Sequence, residues 1–190
     1  MKLNKMMDRK TMVKRKRRGI SQTDNSWKGD ILVWITSVLM FLPIILVFIF
    51  YDYYHLELIV SVGWIFLVFS IVIIFLSGHE FQKKGASKGR TVVYTTVFVD
   101  TGIYSVIRHP QYLGFIMVVL ALVLMSQHWL SVISGITGSM LFYIDQVREE
   151  EQSNIKKFGD DYKQYMKKVP RMNLFLGIIR LLRRRKKEKT

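Results

Sequence analysis

The sequence predicts an all-α, polytopic membrane protein with about four transmembrane helices, the last two forming a C-terminal helical hairpin. Three observations carry that prediction. Half of the 190 residues are hydrophobic and 13% are aromatic, yet the formal net charge is +15. That pairing suits lipid-facing helices with basic ends better than a water-soluble globule. The apolar residues gather in four runs free of Lys and Arg, and the two short connections on one side of the implied membrane also hold neither.

Residues 31–50 form the first run, about 20 residues without a charge, which is the length needed to cross a hydrocarbon core of ~30 Å. Pro43 inside it predicts a kink, a feature that membrane helices tolerate. Residues 1–30 are too basic for a secretory signal peptide, and no small-residue cleavage site follows the run, so it is expected to be retained. Tyr51, Asp52, Tyr53, Tyr54 and His55 then read as a short aromatic and polar turn at the interface. Residues 56–77 are the second span, with Glu57 at its mouth.

The third and fourth runs, residues 112–126 and 129–144, are shorter, about 15 or 16 residues each. Only Gln127 and His128 separate them, and such lengths predict a helical hairpin that tilts little, thins the bilayer locally or stops short of the far side. A buried soluble helix pair is the alternative for these two runs by themselves, and the first two spans speak against it. Lys and Arg number 10 before the first span, 5 between the second and third, and 14 after the fourth, which is all 29. This positive-inside distribution places both termini and the 78–111 loop in the cytoplasm. A nucleic-acid binder would also be basic, but it would mix its basic residues with aromatics along the fold. There is no cysteine, which removes disulfides, thiolate metal sites and a cysteine nucleophile.

Two polar stretches carry candidate chemistry. The first begins Gly78-His79-Glu80 and passes Lys83, Lys84, Lys88 and Arg90. Residues 91–99 follow as a β-branched and aromatic run that reads as extended, and Asp100-Thr101-Gly102 is a turn signal. Tyr104, Arg108, His109, Pro110, Tyr112 and Gly114 lead into the third span, with Pro110 suited to the first turn of its helix. The second stretch carries the fourth helix out of the membrane through Asp145 and Glu149, Glu150 and Glu151. Phe158-Gly159 is expected to stop that helix, Asp160 and Asp161 are alternative caps for the next, and Pro170-Arg171 ends it. Residues 173–185 alternate apolar and basic residues, as in an amphipathic helix lying on an anionic membrane surface. The 14–18 basic cluster reads as a lipid-touching arm.

Taken alone, Arg108 and His109 read as a basic pair anchored on lipid phosphate, and the three glutamates as a solvated helix face. Yet acids at the cytoplasmic end of an apolar helix stand near a helix C-terminus and an anionic leaflet, a cost that a cation would relieve, either from the nearby basic loop or from a positively charged cofactor. A two-residue hairpin makes its helices antiparallel neighbours. The start of the third helix must therefore lie beside the end of the fourth. Gly114 and Gly138 are expected to permit close backbone approach, leaving a pocket with a guanidinium, an imidazole and carboxylates at the membrane face.

Gly102-Ile103-Tyr104, followed by Arg108-His109-Pro110-Gln111-Tyr112-Leu113-Gly114, resembles a signature of the isoprenylcysteine carboxyl methyltransferase and phospholipid methyltransferase superfamily. So do Glu150-Glu151, Phe158-Gly159-Asp160-Asp161-Tyr162, Tyr165 and Val169-Pro170-Arg171. The resemblance covers about half the chain. Asn154 stands where that family usually has leucine.

The resemblance implies an integral membrane enzyme that binds S-adenosylmethionine at the cytoplasmic face without a Rossmann sheet. It assigns the cofactor to Arg108, His109, Pro110, Tyr112, Gly114, Glu150 and Glu151, with Gly102 and Tyr104 as supporting turn residues. No metal is implied, no catalytic residue is named, and the acceptor is a lipid or a prenylated molecule from the bilayer. The chain then divides into a basic cytoplasmic arm (1–30), two transmembrane helices (31–77), a methyltransferase core (78–171) and a basic amphipathic tail (172–190). Two rivals from other classes are a membrane sterol-type reductase using NADPH, which shares a similar Arg-His stretch before a hairpin, and a non-catalytic membrane scaffold.

Overall fold

A computed structural model describes residue 31, residues 34–84 and residues 98–188. The basic arm with its 14–18 cluster, Lys88, Arg90 and the predicted extended run over 91–97 lie outside the described residues. The chain divides into two units between Val38 and Leu39, and the packing below is that of the second, from Leu39 onward. All regular structure among the described residues is helical. The helices are α1 (Trp34–Phe50), α2 (Glu57–Lys84), α3 (Pro110–Ser126), α4 (Trp129–Lys168) and α5 (Leu174–Glu188), with a single 3₁₀ turn at Gly102–Ser105.

Two of these, α2 and α4, are long and apolar enough to cross a membrane. The outward face of α2 is apolar as well: Leu58 is 79% exposed, Ile65 67% and Phe75 69%. A contiguous apolar surface of that kind is unfavourable in water and matched to lipid. This is a helical membrane protein.

Small residues set how closely the helices approach. A side chain at Gly63 would strike Met125 and Ala121, and one at Gly114 would strike Ile74, so α2 and α3 cross antiparallel with near backbone contact. Gly135 gives α4 the same closeness to Val119 and Val123 of α3, while Gly138 lies against the backbone of Leu39 and Met40 in α1. The hairpin therefore closes on Gly135. Gly114 and Gly138, which the sequence pattern assigns to that closure, instead seat α2 and α1. Four buried serines in these helices satisfy themselves: Ser70, Ser77, Ser126 and Ser134 donate to carbonyls three or four residues back.

The hairpin turn is the two residues expected. Gln127 takes a left-handed conformation, φ 53°, and its side chain ties the turn to the α1–α2 connection. Its amide donates to Asp52 Oδ1 and to the Leu56 carbonyl, and its oxygen accepts from Leu56 N. His128 stacks on Phe50 with ring centroids 3.9 Å apart. At the other end, α2 runs further than the apolar run predicts. Gly78, His79 and Glu80 continue the helix to Lys84, because no proline interrupts it.

Candidate functional site

The site forms where three segments far apart in sequence meet: the turn before α3, the part of α4 beyond its apolar run, and the chain after α4. Gly102 has φ 56°, a conformation that costs an L side chain energy and glycine little. It opens the 3₁₀ turn, and Glu80 reaches across from α2 to accept a 2.6 Å hydrogen bond from Thr101 Oγ1. Tyr104 is buried, and its carbonyl accepts from the buried Tyr165 hydroxyl at 2.7 Å. Two N–H groups beyond the turn are taken by the chain after α4: Arg108 N donates to the Pro170 carbonyl and His109 N to that of Arg171. The two signature segments are thus joined backbone to backbone. Pro110 occupies the first turn of α3, with no N–H to leave unpaired.

The side chains complete a compact ion cluster. His109, with 3% of its surface exposed, places Nδ1 3.3 Å from Glu150 Oε2 and Nε2 3.3 Å from Glu151 Oε1. Only the doubly protonated ring can donate to both carboxylates. Burial pushes the His109 pKa down, but the hydrogen bonds and charges of Glu150 and Glu151 outweigh it and hold the pKa above its ordinary value. Glu151 is buried and faces three cations. Arg171 approaches it in a bidentate fork, with Nε–Oε1 at 3.1 Å, and Arg108 Nη1 lies 2.9 Å from the same Oε1. Burial would raise its pKa, yet His109, Arg171 and Arg108 together hold it at about 2.

Glu150 differs from its neighbour. Its side chain is 43% exposed, and it is hydrogen-bonded by His109, Tyr112 and Asn154. Burial would raise its pKa as well, and the His109 contact more than offsets this, leaving it lowered. Tyr112 stacks on the His109 ring at 5.6 Å and meets Phe142 of α4 edge-on. Beside the cluster, Tyr162, Tyr165 and Val169 pack with Phe98, Ile155, Phe158 and Met166. That packing brings the chain after the α4 break back against the turn. The break is at Gly159, φ 60° and ψ −130°, where the sequence predicts it.

Of the residues singled out from the sequence, Tyr104, Arg108, His109, Pro110, Tyr112, Glu150 and Glu151 converge here. Gly102 shapes the approach, Gly114 lies one turn further along α3 against α2, and Glu149 is exposed. Sequence reasoning left Arg171, Glu80 and Asn154 out of the site. Arg171 was legible in principle: two adjacent acids with one nearby arginine leave a charge unpaired, and the arginine after Pro170 is the next available cation. Nothing local in the sequence points Glu80 at Thr101, because the two are 21 residues apart and only the packing of the turn against α2 brings them together.

Within this cluster one side chain is incompletely bonded. The Arg108 side chain is 8% exposed, and neither its Nε nor its Nη1 makes a hydrogen bond of good geometry. A buried guanidinium N–H without an acceptor is costly, and an added carboxylate would remove that cost. Arg108 therefore fits an anionic end of a ligand, and the open Glu150 fits a cationic one. Among the described residues no cluster suited to a metal ion exists.

Residues 15–169 match the family described as "Protein of unknown function (DUF1295)". The chain is also similar to the protein-S-isoprenylcysteine O-methyltransferase of Schizosaccharomyces pombe, 34% identical over 94 residues, 50% of this chain and 39% of that protein. The protein of the same name from Saccharomyces cerevisiae is 34% identical over 93 residues, 49% of this chain and 38% of its own length. For the Homo sapiens protein of that name the figures are 33% over 76 residues, 40% and 27%. The chain thus spans about two fifths of these relatives or less. No solved structure matches. The resemblance read from the two signatures is borne out.

Proposed function

Because the chain belongs to the family described as a protein of unknown function, DUF1295, and half of it is similar to isoprenylcysteine O-methyltransferases, we propose that it is an S-adenosylmethionine-dependent integral membrane methyltransferase. The observation that supports this most strongly is the Arg108–His109–Glu150–Glu151 cluster, which couples a buried, under-bonded cation to a partly open carboxylate. Arg108 would take the carboxylate of the cofactor's amino-acid end and Glu150 its ammonium, through charge-assisted bonds. Glu151 is saturated by His109, Arg108 and Arg171, so its role is to hold those cations in place. Tyr112 would wall the site between the His109 ring and Phe142 of α4, Pro110 starts α3 beside it, Gly114 lets α3 lie close to α2, and Gly102 and Tyr104 hold the turn.

Bound S-adenosylmethionine supplies a methyl group activated by its sulfonium charge. The chain's own contribution is to align an acceptor and exclude water, which is worth up to ~7–11 kcal/mol in well-oriented systems. A carboxylate acceptor carries no proton, so no side chain need act as a base. The names of the relatives favour an isoprenylcysteine-type carboxylate over a phospholipid amine, and methyl transfer over a reductase's hydride transfer. In this reading α1 to α4 all traverse the bilayer, both termini and the cluster are cytoplasmic, and the acceptor enters from the lipid.

The test is incubation of membranes containing the protein with methyl-labelled cofactor. One arm adds a prenylated cysteine with a free carboxylate, the other a total membrane lipid extract. A base-labile methyl ester in the first arm is the expected product. A base-stable label on an amine headgroup would move the acceptor to phospholipid, and no label in either arm would overturn the assignment.

A further inference from the structure

Helix α5 turns an unusual side to the rest of the chain. Its Gly177 is buried, and a side chain there would collide with the Val106 backbone. Seven residues later, Arg184 Nη2 donates to the Ser105 carbonyl at 2.8 Å, while its Nε reaches the Arg180 carbonyl. That spacing is two turns of helix, so Gly177 and Arg184 share one stripe. The face docked on the protein carries Gly177 and Arg184 with Leu174 and Leu181 half-buried beside them, while the other apolar residues point away. Phe175 is 83% exposed and Leu182 60%, with Ile178 and Ile179 exposed as well. Arg183, Arg185 and Lys187 are exposed beside them.

An outward apolar surface bordered by cations is matched by a bilayer interface carrying negative headgroups, which takes the apolar side chains into its acyl boundary and the cations at its phosphates. The inward face, meanwhile, grips residues 105 and 106, the end of the 3₁₀ turn that leads directly into Arg108 and His109. We propose that the outward face of α5 is a binding surface for an anionic bilayer, and that engagement of this surface orders residues 103–107 and thereby the Arg108–Glu151 cluster. The link to the cluster rests on the cofactor-site reading above. The surface itself does not.

Full-length protein in nanodiscs of phosphatidylcholine alone is compared with protein in nanodiscs containing phosphatidylserine, without cofactor, by amide hydrogen exchange. Anionic lipid should slow exchange in residues 174–187 by about fivefold or more, as expected for one basic side chain or more held at a charged surface, and should also slow residues 103–107. Arg183→Gln, Arg185→Gln and Lys187→Gln combined should abolish both responses, with exchange in neutral discs unchanged. Arg184→Ala should keep the response of α5 and lose that of residues 103–107. S-adenosylhomocysteine affinity, read separately, should rise about fivefold with anionic lipid in the wild type and stay flat in Arg184→Ala. Equal exchange in the two discs would overturn the proposal, as would protection that follows protein concentration rather than lipid charge, since that assigns the face to a second copy. Lipid-dependent exchange with no S-adenosylhomocysteine binding at all would leave the surface standing and remove the cofactor reading alone.

Discussion

At the scale of single residues, Glu151 holds the site together. Two arginines and a histidine converge on one buried carboxylate. Removing it leaves Arg108 and His109 buried with a counter-ion lost, whereas removing Glu150 leaves His109 with Glu151 still beside it. Glu151→Ala is therefore expected to cost about 3–5 kcal/mol, read as a fall in thermal midpoint in detergent, while Glu150→Gln costs far less. The pH dependence follows the same groups. Glu151 is held at about 2, below its unfolded value of roughly 4.3, so its contribution is intact above that value and is lost as pH falls toward 2. His109 is raised, so its contribution is intact below roughly 6.5 and is lost as pH rises through its folded value. Thermal stability should thus peak between about pH 4.5 and 6.5, and His109→Gln should remove the decline on the alkaline side alone.

At the scale of elements, two glycines carry separate demands. Gly159 breaks α4 at φ 60° and ψ −130°, and a Cβ added there would meet nothing within 4 Å. Gly159→Ala should therefore cost about 1–3 kcal/mol from backbone conformation alone, with no steric part. Gly138 is the opposite case, with no such backbone demand but the Leu39 backbone 2.9 Å from where a Cβ would stand. Backbone cannot yield as a side chain does, so Gly138→Val should cost about 1–3 kcal/mol by overpacking. Denaturation followed by helical circular dichroism measures both losses against wild type. Which elements were legible from sequence follows from the range of their causes. The hairpin turn at Gln127-His128, Pro110 at the start of α3 and the break at Gly159 are set by residues at the spot. The partners of Gly114 and Gly138 are set by which helix fills each notch, and no local pattern carries that. α5 was legible as amphipathic, but its docking by Gly177 and Arg184 was not, because alternation of apolar and basic residues does not say which side meets protein.

For the whole molecule, the proximity of the two signatures was the part of the site the sequence could anticipate, since a two-residue turn forces the start of α3 and the far part of α4 together. The additional clasp, Arg108 and His109 bonding the backbone of Pro170 and Arg171, has no local sequence signal, because the return of the chain after Gly159 depends on the packing of Tyr162, Tyr165 and Val169. Topology is testable at this scale through the absence of cysteine. Single cysteines at positions 54 and 152 in sealed vesicles should be labelled by a membrane-impermeant maleimide from opposite sides. Labelling of both from one side would contradict four crossings.

Cofactor binding by the Arg108–Glu150 pair is tested most directly by calorimetric titration of the purified protein with S-adenosylhomocysteine, for wild type, Arg108→Ala and Glu150→Gln. Wild-type binding is expected in the micromolar range, with at least tenfold weaker binding in each variant, about 1.4 kcal/mol or more, and helical content unchanged. Wild-type affinity retained in both variants, or no heat of binding in the wild type, would contradict binding by that pair.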